Sequence, residues 1–164
     1  MLAAVLLLAL GWTGDSCSAA QRLFCIERSK NANVVCYDVC LKNDGSIDPS
    51  HPLDAYWILH AKKGQHEELS WLERRLAYGY EIVGAVKRTG FDFRLKAFPK
   101  RPIAVRRPDH SYLAETTISH RSARLQSVYV ATRESGLVPK VLYVLIRGKD
   151  LRTGKELVER VVER

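Results

Sequence analysis

From Arg22 onward the side chains alternate between apolar and polar, a period of two that belongs to strands with one face in a core. The alternation predicts strands over Arg22 to Arg28, Asn33 to Leu41, Ala55 to His60, Tyr80 to Val86, Phe91 to Phe98, Ile103 to Arg107, His110 to Ile118, Ala123 to Arg133, Val141 to Arg147 and Glu156 to Val162. Turn formers separate them: Ser29-Lys30-Asn31-Ala32, the polar stretch Asn43 to Pro52, Gly64, Thr89-Gly90, Pro99 to Pro102, Ser135-Gly136 and Lys149 to Gly154. One segment breaks the period. Leu69, Leu72 and Leu76 recur at helical spacing within Glu67 to Ala77, with Glu67 and Glu68 at the start, Arg74 and Arg75 at the end and Gly79 as C-cap.

Pairing the first two strands symmetrically about Lys30-Asn31 puts Phe24, Ile26, Val35, Tyr37 and Val39 on one core face, with Glu27, Asp38 and the cysteines on the other. Phe91, Phe93, Leu95 and Ala97 alternate with Asp92, Arg94 and Lys96, so that strand is half-buried with its basic side in water. Val141 to Ile146 is apolar on both faces and is expected as a central, doubly covered strand. The fold class that follows is mainly β (α+β): a strongly curved antiparallel sheet or barrel of about ten short strands, with one helix, about residues 67–77, packed over an opening or face. Helices are too few for a parallel sheet, and no repeat or domain linker interrupts the pattern.

A chain of 164 residues with 46% hydrophobic and 27% charged residues makes one folded domain and excludes disordered and collagen-like architectures. The run Met1 to Leu10 is too short for a membrane helix, which needs about 20 apolar residues, and fits a signal-peptide core of about 7 to 15. Ser18-Ala19-Ala20 suits the cleavage site, although no Lys or Arg precedes the run. The expectation is a signal peptide over residues 1–20, a single β-rich domain over 21–164, export to a periplasmic or secreted location, and no transmembrane span in the mature chain.

Of the four cysteines, cleavage would remove Cys17, leaving an odd number and at least one unpaired thiol. The symmetric hairpin sets Cys25 opposite Cys36, where a disulfide is sterically open; the plainer alternative is small buried thiols. Cys36 and Cys40, about 13 Å apart along one strand, cannot bond without bending it.

The net charge is +8, and the bases concentrate in Lys87, Arg88, Arg94, Lys96, Lys100, Arg101, Arg106 and Arg107 against the single acid Asp92. Outside the cytoplasm such a segment suits an anionic envelope surface, cell-wall polymer or acidic glycan rather than nucleic acid. The plainer and favoured reading of such a run is a solvated strand face that keeps sheet edges apart.

Catalytic spacings are missing. The chain has no Gly-x-Ser-x-Gly, no phosphate loop and no His-Glu-x-x-His, since His66-Glu67-Glu68 is followed by Leu69-Ser70. Cys36 and Cys40 with His51 or His60 lack the close paired spacing of structural zinc, so neither metal nor cofactor is expected. His110 and His120 bracket one strand without a carboxylate or nucleophile at fixed spacing. Two polar clusters remain. The hairpin tip Glu27 to Asn33 offers a carboxylate, a guanidinium and amides, and Arg74, Arg75, Tyr78 and Tyr80 lie near Tyr56 and Trp57. Both clusters can be purely structural, the tip bonding its own turn and the aromatics anchoring the helix.

Leu23 to Asp38, Pro52-x-x-Ala55-Tyr56-Trp57 and Arg75-Leu76-Ala77-Tyr78-Gly79-Tyr80 resemble an exported bacterial family, domain of unknown function 4833. The resemblance extends to the hairpin Gly148-x-Asp150-x-x-Thr153-Gly154. It implies no activity, and the cysteines stand where the family pattern often has other residues. Two functions follow. One is a non-catalytic envelope protein binding an apolar, lipid-like or glycan ligand through Glu27, Arg28, Asn31, Tyr37, Trp57, Arg75 and Tyr78. The alternative is a hydrolase or transferase with a site assembled from Glu27, Arg28, Asn31, Arg75 and Tyr78, Glu27 acting as base and Arg75 as anion clamp.

Overall fold

The computed structural model describes residues 17–133 and 140–162; the apolar run Met1 to Leu10 and the Ser135-Gly136 turn lie outside the described residues. The elements are β1 (Ala19–Arg28), β2 (Asn31–Leu41), β3 (Leu53–Leu59), a 3-10 turn (His60–Lys62), β4 (Gln65–Glu68), α1 (Trp71–Leu76), β5 (Tyr80–Lys87), β6 (Gly90–Leu95), β7 (Phe98–Arg106), β8 (Leu113–Ile118), β9 (Arg121–Arg133), β10 (Lys140–Asp150) and β11 (Glu156–Val161). Together they make a mostly β protein whose curled mixed sheet forms a half-barrel, with one short helix. Strands run in the order β4-β3-β2-β1-β9-β8-β7-β6-β5, and β10 and β11 branch from β9.

The first and last strands of that order, β4 and β5, are consecutive in the chain, so α1 links the two edges of the curl. Two hydrogen bonds tie the chain at the start of β5 to β2 and β3. Tyr37 donates from its hydroxyl to the Tyr78 carbonyl at 2.7 Å, and Tyr80 donates to the Leu53 carbonyl. Pairing is antiparallel except between β1 and β9, where Cys25 to Arg28 run alongside Ser127 to Val130 in parallel. β9 serves two partners on one edge, β8 at Arg121 to Arg124 and then β1, while β10 follows its other edge.

The core fills the inside of the curl. Phe24 stacks on Tyr37 at 4.7 Å and faces Phe93 at 6.5 Å, with Phe91 and Tyr80 completing the aromatic cluster. Phe24, Ile26, Val35, Tyr37 and Val39 are all buried, and β2 is buried on its outer face as well, through Cys36, Asp38 and Cys40. There Tyr56 donates to Asp38 at 2.6 Å, and Arg22 donates to both Asp38 and Tyr56. Cys25 is bonded to Cys36, and Cys17 to Cys40. With Cys17 in place, no described cysteine is free.

Four expectations change. Glu67 and Glu68 belong to β4, paired with Trp57 and Tyr56, and the helix starts only after Ser70. The stronger start signal is the capping box, in which Ser70 accepts from the Glu73 backbone and the Glu73 carboxylate accepts from Ser70 N–H. Gly79 is not the C-cap; it is small because a Cβ there would overlap the Arg74 carbonyl. β7 starts at Phe98 and runs through Pro99 and Pro102. The ladder to β6 slips there, and β8 pairs only with Ala104 to Arg106, so neither ring displaces a regular bond. Lastly, β10 is not doubly covered: Leu142 is 41% exposed and Val141, Tyr143, Val144 and Leu145 are half-buried.

Candidate apolar-ligand site

The half-covered face of β10 looks into a cavity of about 780 Å3. Its floor is core: Ile26 from β1, Leu125 and Val128 from β9, and Ile146 from β10. Its side wall is the three-stranded wing, through Val130, Val144 and Val161, because alternation on β9, β10 and β11 turns a valine row the same way. At the rim, α1 contributes Leu72 and Leu76, which remain 55% and 64% exposed, and β7 contributes Phe98. A six-residue helix with no buried residue is held by its cap and its links to β4 and β5 rather than by an apolar face beneath it.

Polar groups lie at the two ends. Along β9, Val130 is beside Arg28 and Ala123 is beside Thr116; at about 3.3 Å per residue those ends are roughly 23 Å apart. The far end holds Arg101 and Thr116, which also line a smaller neighbouring recess of about 260 Å3 with Lys100, His120 and Glu159. Arg101 forks onto both carboxylate oxygens of Glu159, one bond at 3.0 Å, and that hydrogen bonding holds Glu159 below the usual glutamate range.

The near end is built at the β1–β2 tip and α1. The Arg28 guanidinium lies 4.6 Å over the Trp57 ring and 5.9 Å from that of Tyr78, and the two rings meet edge to face at 5.3 Å. Trp57 donates its indole N–H to Glu73 at 3.1 Å. Burial pushes the Tyr78 hydroxyl up, and neighbouring Arg28 pulls part of the way back. The Nε of Arg28 is shielded from solvent and has no hydrogen-bond partner. Asn31 lines the same end, with its side-chain oxygen already accepting from Asn33 N–H at 2.9 Å.

Of the sequence candidates, Arg28, Asn31 and Tyr78 line the cavity, and Trp57 stands directly behind them. Tyr37 is fully buried and serves the framework through its bond to Tyr78. Glu27 and Arg75 are not brought to the site. Glu27 is exposed on strand β1 between two lining residues, and Arg75 is exposed and stacked on Trp71 at 5.1 Å. The sequence missed Glu73 and the valine wall. The first was signalled by Ser70-x-x-Glu73, the second by a strand apolar on both faces.

The basic segment divides. Arg88 pairs with Asp44 at 3.1 Å, Arg106 with Asp92 at 2.7 Å and Arg101 with Glu159, while Arg107 lies over Tyr112 and donates to the Gly45 carbonyl at 3.3 Å. Lys87, Arg94, Lys96 and Lys100 are exposed without an ion pair among the described residues. Elsewhere Cys17, Cys40 and His51 place their ligand atoms within 4.8 Å of one another, but both sulfurs are engaged in the disulfide. Cys36 is likewise bonded to Cys25, and His60 lies exposed in the 3-10 turn.

The geometry defines a β half-barrel with an aliphatic cavity under its branched wing. The chain belongs to the family described as Domain of unknown function (DUF4833), which it matches over residues 24–160. No curated protein and no solved structure matches it.

Proposed function

We propose that this is a non-catalytic binding protein that houses an apolar, acyl-chain-like ligand in the half-barrel cavity. The observation that carries the reading is the cavity: about 780 Å3, walled by aliphatic side chains and polar only at its ends. Ligand sites usually enclose about 300 to 1,000 Å3 with mainly apolar linings and few polar groups. A glycan would need polar partners along its length and an aromatic platform, and among the described residues the cavity offers only Tyr78 and Phe98 as rings. The hydrolase or transferase alternative draws no support from this site, because the assigned base Glu27 and clamp Arg75 both lie off the lining.

Export is part of the proposal. It rests on the apolar run at Met1 to Leu10 and on two disulfides, which persist in oxidising compartments. Cleavage after Ala20 would detach Cys17 from Cys40 and remove Ala19 and Ala20 from their pairing with β2, so we place processing ahead of Cys17. Exposed Lys87, Arg94, Lys96 and Lys100 are the bases available to an anionic envelope surface.

The test is native mass spectrometry of the protein purified from its host, followed by thermal shifts of delipidated protein with acyl lipids. A co-purifying apolar mass and a raised Tm are expected. No bound mass and no shift with any acyl lipid would end this reading.

A further inference from the structure

We propose that the cavity takes a long-chain carboxylate, with the chain along the valine wall and the carboxylate against the Arg28 guanidinium. This rests on the acyl-ligand reading above and adds the sign and place of the head. The two polar ends are not equivalent. At the far end Arg101 is already neutralised by a two-bond fork onto Glu159, so a charged head there meets a satisfied pair. At the near end Arg28 has ring faces but no carboxylate partner among the described residues, and its shielded Nε has no acceptor. Arg28 lines the cavity without a carboxylate partner among the described residues, so its guanidinium is the donor that a ligand acceptor can meet there.

Chemistry fixes which acceptor. A guanidinium fork matches a carboxylate, and the match strengthens where aliphatic walls exclude water. The one acid among the described residues that line this end, Glu73, has its oxygens turned away, one accepting from Trp57 and the other from Ser70 N–H and Oγ at 2.8 Å each. It therefore leaves Arg28 to the head, and a cationic head would have no partner here. Asn31, whose oxygen is held by Asn33, keeps its amide N–H groups for the second carboxylate oxygen.

The experiment uses the delipidated full chain and three probes of equal length: tetradecanoate, tetradecanol and tetradecyltrimethylammonium. Dissociation constants come from calorimetry, and the Arg28 Nε–H is followed by NMR. Tetradecanoate should bind about tenfold or more tighter than the alcohol, the worth of a charge-assisted hydrogen bond, with the ammonium weakest and the Nε–H signal shifted by the acid alone. Arg28→Met should bring acid and alcohol to equal affinity, and Arg28→Lys should restore part of the preference, with circular dichroism confirming both folds. Equal affinities in the native chain with an unmoved Nε–H signal overturn the head assignment and leave the cavity reading standing. Failure of all three probes to bind takes down the cavity reading itself.

Discussion

The inside of the curl and the underside of the wing are built from the same alternating pattern, yet one is filled and the other is open. Between β1–β2 and β6 the facing side chains are aromatic, and Phe24, Tyr37 and Phe93 close the space with ring contacts of 4.7 and 6.5 Å. Beneath the wing the facing residues are Val130, Val144 and Val161, which pack against the core yet stay only partly buried and leave the cavity open. Residue size, rather than hydrophobic pattern, separates core from cavity: alternation says which way a side chain points and not whether the opposite wall is within reach.

The largest effect should come from the filled half. Phe93→Ala should cost about 3 to 5 kcal/mol in denaturant unfolding, whereas Val144→Ala should cost less than about 1 kcal/mol, because its neighbours are already sparse. Equal costs would break the contrast. Next, Cys25→Ser with Cys36→Ser should cost about 2 to 4 kcal/mol, since the bridge pins the hairpin that carries Arg28 at its end.

Acid should act on the wing through Glu159. Its carboxyl is held low, first by hydrogen bonding from Arg101, so its contribution is complete above the ordinary glutamate value of 4.5 and is lost as pH falls through the lower folded value. Urea titrations across that range should show Glu159→Gln with a flatter pH dependence than the native chain; parallel slopes would remove Glu159 from the account. At the other end of the scale, burial first and then Asp38 push the Tyr56 hydroxyl up to about 12. That contribution is complete below the ordinary tyrosine value of 10.0 and fades as pH rises toward 12, and Tyr56→Phe should abolish this alkaline loss. The smallest stability change is expected from Val144→Phe, within about 1 kcal/mol, because the added ring enters open space. The same change should abolish acyl binding; retained binding would mean the ligand lies elsewhere.

The strands were legible because each has its own alternation, and all those expected have counterparts. β4 was not, since Gln65-His66-Glu67-Glu68 is polar throughout and is held to β3 by backbone bonds. The helix starts later than the Glu67-Glu68 charge signal suggests, because the Ser70-x-x-Glu73 capping box sets its first turn. The parallel β1–β9 pairing depends on the length of β9 and on how the sheet curls, which no local pattern records. The near end of the site was partly legible, since an Arg and amides at a hairpin tip are unusual. Its alignment with Trp57 and Tyr78 was not, because register across β2 and β3 sets it.

Methyl-resolved NMR of the delipidated protein during a tetradecanoate titration tests the central claim most directly. Shifts are expected at Leu72, Leu76, Val130, Val144 and Val161, with Val35, Val39 and Val105 unmoved. Shifts concentrated at the latter three, or none at the wing valines at saturating probe, would contradict it.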